Sequence, residues 1–148
     1  MRMVTCTRVI GIDVGHRVVR HESKCRHLHG HRYTIEITAE AEELDSVGRV
    51  IDFGVLKEEV GGWLLDHWDH GLVIWELDPL AEALTELVVS EGQTQKVFLA
   101  EFNPTAENMA KFLLRDLCPS LLRLSDSGVV VSKVVVWETP NCKAEASL

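Results

Sequence analysis

Three histidines and one cysteine lie within seven residues of the stretch CRHLHGH, which runs from Cys25 to His31. Side chains two positions apart in an extended chain point to the same side, so His29 and His31 can reach one ion while Gly30 leaves room between them. This HxH spacing suits zinc, which binds imidazole nitrogens in a tetrahedral arrangement. A polar surface loop is the alternative that the spacing alone leaves open.

A tetrahedral zinc site with one open position needs a third protein ligand. His16 follows the first predicted strand and can supply it if that strand pairs with the one that begins near His31. Three neutral imidazoles with an open position are typical of catalytic zinc. Cys25 could be a fourth ligand of a closed structural site, a nucleophile, a general base or an inert thiol. Its basic neighbours Lys24 and Arg26 favour the thiolate form and therefore a reactive role.

The composition is that of one ordinary globular domain. Of its 148 residues 46% are hydrophobic and 26% charged, and the formal net charge of −8 disfavours a nucleic-acid partner. Basic side chains nevertheless crowd the segment 16–32, as in an anion site or a solvated loop. We find no export signal, no apolar run of membrane-spanning length and no paired cysteine spacing, so we expect a cytoplasmic protein without disulfides or membrane contact.

The predicted order of elements is β, β, α, α, β, α, β, which lacks strictly alternating βα units and therefore predicts an α+β domain with a mainly antiparallel sheet. Strands are predicted from β-branched or alternating residues at 3–14, 32–42, 96–102 and 129–139. Helices are predicted at about 53–67, 79–89 and 105–119. Asp52, Asp78 and Thr105 are the expected caps, and Pro119 is expected to end the last helix.

Six short motifs, taken in order, resemble those of the 6-pyruvoyltetrahydropterin synthase and 6-carboxytetrahydropterin synthase family. They are GH at 15–16, CRHLHGH at 25–31, IDFGVLK at 51–57, WDHGL at 68–72, NPTAEN at 103–108 and WET at 137–139. The resemblance spans nearly the whole chain. It implies a tunnelling fold (T-fold), an antiparallel four-stranded sheet with helices packed on one face. Such chains assemble into barrel-shaped homo-oligomers, commonly hexamers, with sites at subunit interfaces.

The resemblance also implies zinc as the cofactor and a role for seven side chains. Its motifs place zinc on His16, His29 and His31, the catalytic general base on Cys25, an acid/base pair on Asp69 and His70, and on Glu138 the anchor that grips the guanidine-like edge of a pterin. Asp66 and His67 form a competing pair, but WDHGL is the part that resembles the family motif, which favours the later pair. The basic segment would neutralise the triphosphate of the substrate.

The gap between the cysteine and HGH differs among branches of this family. Here three residues separate Cys25 from HGH, which resembles the 6-carboxytetrahydropterin synthases of the queuosine and deazapurine route. The implied reaction converts 7,8-dihydroneopterin triphosphate to 6-carboxytetrahydropterin, acetaldehyde and triphosphate, as a zinc-dependent lyase. Three alternatives remain: elimination of triphosphate to the pyruvoyl product, a zinc-containing pterin-binding or purine-binding protein without turnover, and a structural zinc module that uses Cys25.

The domain prediction is a single unit, 1–148, with an inserted helix and strand. The insertion falls at about 75–102, between WDHGL and NPTAEN, where the family pattern is shorter. It could remodel the pocket rim or the contact between copies, so the resemblance leaves both the substrate and the oligomer number open.

Overall fold

The structure, a computed structural model, describes residues 3–148. Its strands are β1 (Val4–His16), β2 (His29–Ala41), β3 (Gly71–Trp75), β4 (Val88–Ser90), β5 (Gln93–Thr94), β6 (Val97–Ala100), β7 (Val129–Thr139) and β8 (Cys142–Ser147). Six of them form one sheet in the order β6-β3-β1-β2-β7-β8, and β4 pairs with β5 in a separate hairpin. The α+β class with a mainly antiparallel sheet is confirmed.

Three helices and one short turn connect these strands. Helix α1 has three consecutive segments, Phe53–Val55, Leu56–Gly61 and Gly62–His67, and the middle one has π-helical hydrogen bonds. Helix α2 is Ala81–Thr85, and α3 joins Ala106–Phe112, a π-helical Leu113–Leu117 and Cys118–Leu122. A 3₁₀ turn covers Lys24–Arg26. Within residues 3–148, no helix combines the length and the apolar character that a membrane crossing requires.

The four long strands form the antiparallel part of the sheet that was expected. β1 pairs with β2 over its full length, β2 pairs with β7, and β7 pairs with β8. The short strands β3 and β6 extend the sheet beyond β1 in parallel. Neither β3 nor β8 was predicted, and β8, CKAEAS, contains no β-branched residue.

Two predicted helix ends are wrong. Helix α2 ends at Thr85 rather than near residue 89, because the β-branched Val88 and Val89 join β4, and Gly92 (φ 72°) turns the chain into β5. Pro119 does not end α3, which continues to Leu122. It stands in the first turn of the last helical segment, where its missing N–H costs least. The predicted caps at Asp52 and Thr105 are confirmed, since they accept hydrogen bonds from Gly54 N–H and Asn108 N–H. The predicted cap at Asp78 is wrong, because α2 begins two residues later and Leu80 occupies its N-cap position.

Helices α1 and α3 cover one face of the sheet and bury its apolar side chains. Alternate residues of β1 and β2 point into this layer and meet apolar side chains from both helices, and the fully buried set includes Ile12, Tyr33, Ile35, Ile37, Leu56, Val60, Leu64, Met109 and Leu113. Each large apolar side chain contributes roughly 1.5–3 kcal/mol by leaving water. The inward-facing row of β2 begins at His29 and His31, so these two side chains emerge at the end of the core.

Candidate active site

The pairing of β1 with β2 brings three histidines together. His16, the last residue of β1, lies directly opposite His29, and Val14 lies opposite His31. The ring centroids are 4.7 Å apart for His16 and His29, 5.3 Å for His16 and His31, and 4.8 Å for His29 and His31. One nitrogen from each ring lies within 4.8 Å of the other two. The strand pairing on which the sequence prediction of this cluster depended is therefore present.

Backbone carbonyls orient two of the three imidazoles. His16 Nδ1 lies 2.7 Å from the Pro104 carbonyl oxygen, and His29 Nδ1 lies 2.7 Å from the His27 carbonyl oxygen. A carbonyl only accepts hydrogen bonds, so each Nδ1 carries the proton and each Nε2 keeps its lone pair. Such a contact to the far ring nitrogen is what metal-binding histidines normally have, since it fixes both the tautomer and the ring orientation.

Burial keeps two of these imidazoles neutral. Desolvation is the main cause that lowers the pKa of His16 to about 4, and the neighbouring His29 and His31 lower it further against the opposing hydrogen bond to Pro104. Desolvation also lowers the pKa of His31, although the charge of Glu138 opposes it. Among the described residues, His31 Nε2 is a buried nitrogen without a hydrogen-bond partner. A neutral nitrogen left without a partner beside two others fits a zinc ion, which needs deprotonated nitrogen donors.

Glu138 and Tyr33 border the histidine cluster. Glu138 Oε1 lies 3.4 Å from His16 Nε2 and 3.8 Å from His31 Nε2, and its side chain is 26% exposed. The buried Tyr33 hydroxyl lies 3.2 Å from His16 Nε2, to which it donates a hydrogen bond. Burial raises the pKa of Tyr33, as do the charges of Glu138 and Cys25, so its hydroxyl keeps its proton. Tyr33 was not predicted as a site residue. Its position two residues after His31 places both side chains on the same face of β2, and this spacing could have indicated it.

Cys25 lies in the 3₁₀ turn Lys24–Arg26 and is partly buried. The turn leads into β2, which begins at His29. Within residues 3–148, however, the compact group of potential ligand atoms around His16 consists of the three histidines without the Cys25 sulfur. This arrangement favours three nitrogen ligands and a free thiol over a closed site with a sulfur ligand.

Asp69 and His70 form a hydrogen-bonded pair where α1 leads into β3. His70 Nδ1 lies 2.8 Å from Asp69 Oδ2, and Asp69 Oδ1 accepts a hydrogen bond of 2.8 Å from the Asp13 N–H. Desolvation raises the pKa of Asp69, but the hydrogen bonds from Asp13 and His70 outweigh it and the net pKa is lowered. The carboxylate thus holds Nδ1–H of an imidazole whose side chain is 77% exposed, which leaves Nε2 free to exchange a proton.

The competing histidine has a different environment. His67 stacks on Trp63 with 4.3 Å between ring centroids, and its Nδ1 is bonded to the Trp63 carbonyl at 2.9 Å. His70, in contrast, borders a cleft of about 340 Å³ together with His31, Asp13 and Arg32. The side chains of Asp13, Asp69 and His70 cluster on the outer face of the sheet, where Asp13 pairs with Arg32, whereas the imidazoles of His29 and His31 point to the inner face.

Comparison with known families agrees with this geometry. The family model described as 6-pyruvoyl tetrahydropterin synthase matches residues 5–147. A Rickettsia bellii protein named 6-carboxy-5,6,7,8-tetrahydropterin synthase is 40% identical over 143 residues, which cover 97% of this chain and 99% of that protein. An Aquifex aeolicus protein of the same name is 38% identical over 127 residues, which cover 83% of this chain and 75% of that one.

Superposition on solved structures supports the same fold. The crystal structure of an uncharacterized Wolinella succinogenes protein superposes with a TM-score of 0.82 at 27% identity, and covers 99% of each chain. The Caenorhabditis elegans 6-pyruvoyl tetrahydropterin synthase superposes with a TM-score of 0.65 at 26% identity, over 100% of this chain and 97% of that one. The tunnelling fold expected from the motifs is therefore confirmed.

Proposed function

This chain belongs to the 6-pyruvoyl tetrahydropterin synthase family, and on that premise we propose that it is a zinc-dependent 6-carboxy-5,6,7,8-tetrahydropterin synthase. As a lyase it would convert 7,8-dihydroneopterin triphosphate to 6-carboxytetrahydropterin, acetaldehyde and triphosphate. The observation that carries the chemistry is the convergence of three imidazole nitrogens beside Glu138. The full-length similarity to proteins of that name favours this reaction over elimination to a pyruvoyl product.

His16, His29 and His31 would hold the zinc through Nε2, because the Nδ1 atoms of His16 and His29 are engaged by carbonyls and His31 Nε2 is buried without a partner. When bound, zinc supplies Lewis acidity that makes the hydroxyl protons and adjacent C–H protons of a dihydropterin side chain easier to remove. With its lone pair on zinc, His16 Nε2 would no longer accept the hydrogen bond from Tyr33. The Tyr33 hydroxyl would then be free to donate to Glu138 or to the substrate.

Two groups of this chain would move protons. The Cys25 thiolate would take a proton from the substrate side chain as the general base. His70 would return or remove a proton through Nε2, since Asp69 holds its Nδ1–H and stabilises the charged ring. Because Asp69 and His70 cluster with Asp13 on the outer face of the sheet while the three imidazoles point inward, His70 would act on a substrate held in part by a second subunit.

Glu138 and the basic segment would bind the two ends of the substrate. A carboxylate can accept two parallel N–H donors from the guanidine-like edge of a pterin, as it does from arginine. In the segment 16–32 Arg17 is engaged by Asp78, so the triphosphate would have to be neutralised by other cations such as Lys24. We also propose a cytoplasmic homohexamer that supplies a queuosine or 7-deazapurine precursor.

The decisive experiment is incubation of the zinc-loaded protein with 7,8-dihydroneopterin triphosphate, followed by mass analysis of the products. We expect acetaldehyde and 6-carboxytetrahydropterin. A pyruvoyl product selects the alternative reaction, binding without consumption indicates a pterin-binding protein, and neither binding nor consumption contradicts the proposal. Cys25→Ala should abolish product formation, whereas Cys142→Ala, which removes the exposed cysteine, should retain it.

A further inference from the structure

A buried ion pair joins the residue after His16 to the turn that follows β3. Arg17 Nη2 lies 2.6 Å from Asp78 Oδ1, and Arg17 Nε lies 2.8 Å from Asp78 Oδ2, so the guanidinium donates two parallel hydrogen bonds. The Asp78 side chain is fully buried and that of Arg17 is 17% exposed. Such a pair holds both side chains in place, because either charge left alone in the interior would be strongly disfavoured.

The same guanidinium reaches the turn that carries Cys25. Arg17 Nη1 donates a hydrogen bond of 3.0 Å to the carbonyl oxygen of Arg26, the residue directly after Cys25. The neighbouring Val18 N–H donates to the carbonyl oxygen of Cys25 itself at 2.8 Å. The carbonyl oxygens of Arg26 and Cys25 therefore accept hydrogen bonds from the consecutive residues Arg17 and Val18. Asp78 in turn holds the Arg17 guanidinium in place through the ion pair.

These polar contacts are what restrains the Cys25 turn. The turn Lys24–Arg26 buries none of its three residues, so core packing does not fix it. Asn103 holds the other side of the segment, since its side-chain amide exchanges hydrogen bonds of 3.0 and 2.9 Å with the backbone of Val19. A turn that lacks core contacts keeps its geometry only as long as such anchors remain.

We propose that Asp78 and Arg17 are positioning residues that hold the Cys25 thiol at the reaction site. The inference rests on the proposed function only in that Cys25 is taken as the general base. Asp78 falls within 75–102, the segment predicted as an insertion, so that segment would help to build the site. Since displacement of a reacting group by 1 Å costs on the order of 100-fold in rate, loss of the pair should reduce turnover without removing the thiol.

The test uses the full-length zinc-loaded protein and two variants. Asp78→Asn keeps the shape of the side chain but removes its charge. Arg17→Lys keeps a charge, but a single ammonium group cannot pair with both Asp78 oxygens and also reach the Arg26 carbonyl. Asp45→Asn, which breaks the exposed ion pair with Arg49, is the matched control.

Three quantities are measured on each protein: zinc per chain, kcat and KM for the pterin, and the iodoacetamide alkylation rate of Cys25 relative to Cys142 by peptide mass analysis. In both variants we expect wild-type zinc content, a KM within about 3-fold of wild type and a kcat lower by roughly 10- to 100-fold. Cys25 should be alkylated several-fold faster because its turn is released, while the control variant matches wild type on all three.

Each outcome decides between distinct conclusions. Unchanged kcat and unchanged Cys25 alkylation in both variants overturn the proposal. Zinc lost in parallel with kcat also overturns it, because the pair would then act through the neighbouring His16. If wild type consumes no pterin but Cys25 alkylation still accelerates in both variants, the positioning role stands and the proposed function fails. If Asp78→Asn does not fold, as judged by circular dichroism, Arg17→Lys decides by the same criteria.

Discussion

Acid should destabilise the metal-free protein in a way that depends on His16. Its imidazole is fully buried, and mainly through desolvation its pKa is about 4 rather than the ordinary 6.5. At pH 7.5 and above the ring is mostly neutral in both the folded and unfolded chain and contributes little pH dependence. As the pH falls below 6.5 the unfolded chain binds a proton that the folded chain does not, so the free energy of unfolding decreases.

The magnitude follows from these two pKa values. At pH 5 the difference in proton binding lowers the free energy of unfolding by about 2 kcal/mol, and the limit for the full shift is about 3 kcal/mol. The lowered pKa of His31 adds to the effect in the same direction. The carboxylates with lowered pKa values, such as Asp69 and Asp78, lose their contribution only as the pH falls below their unfolded values near 4, so measurements at pH 5 and above separate the two causes.

The assay is urea unfolding of chelator-treated protein at intervals between pH 7.5 and 5, for wild type and for His16→Asn. Asparagine can still donate to the Pro104 carbonyl but cannot take up a proton. We expect the variant to be less stable than wild type at every pH. Between pH 7.5 and 5, however, its free energy of unfolding should fall by about 2 kcal/mol less than that of wild type. His27→Asn, which changes an exposed histidine of the same segment, should keep the wild-type slope. Equal slopes for wild type and His16→Asn would refute the reasoning.

Four further substitutions test the site and the fold. Cys25→Ala should retain zinc and lose turnover, and retained turnover in a product assay would remove Cys25 from its role. His31→Ala should lose both zinc and turnover, because two imidazoles hold zinc poorly. Normal metal content by atomic absorption would contradict this. Asp69→Asn should lower kcat by roughly 100-fold or more at unchanged zinc content, since His70 loses its charged partner; wild-type kcat in steady-state assays would argue against the pair. Leu64→Ala should lower the free energy of unfolding by about 2–5 kcal/mol in urea titrations, because Leu64 is fully buried, and a loss below 1 kcal/mol would contradict the core assignment.

Local patterns in the sequence were sufficient to predict the strands and helices that carry the site. Alternating β-branched residues marked β1 and β2, and the HxH spacing placed His29 and His31 on one face. His16 was proposed as the third ligand on the assumption that β1 and β2 pair, and the register of His16 with His29 confirms that pairing. The alternation of side chains along a strand and the pairing of two strands that follow each other in the chain both depend on residues close in sequence. For that reason they could be predicted from the sequence.

Contacts between distant residues were not predictable in this way. Asp78 was predicted as a helix cap, but Leu80 is the N-cap of α2 and the Asp78 carboxylate instead pairs with Arg17, a contact that spans 61 positions and leaves no periodic trace. The carbonyl of Pro104, which orients His16 across 88 positions, is likewise a backbone group with no signature in its residue type. The strand β8 forms because β7 offers it an edge, not because of its own composition.

In the proposed site three imidazoles hold a zinc ion with an open position, while the Cys25 thiol stays free to move a proton. X-ray absorption at the zinc edge on the purified, zinc-loaded protein tests this most directly. We predict three nitrogen ligands from His16, His29 and His31 and at least one oxygen ligand, all at about 2.0–2.2 Å, with the same spectrum for Cys25→Ala. A sulfur ligand at about 2.3 Å that disappears in Cys25→Ala would contradict the account.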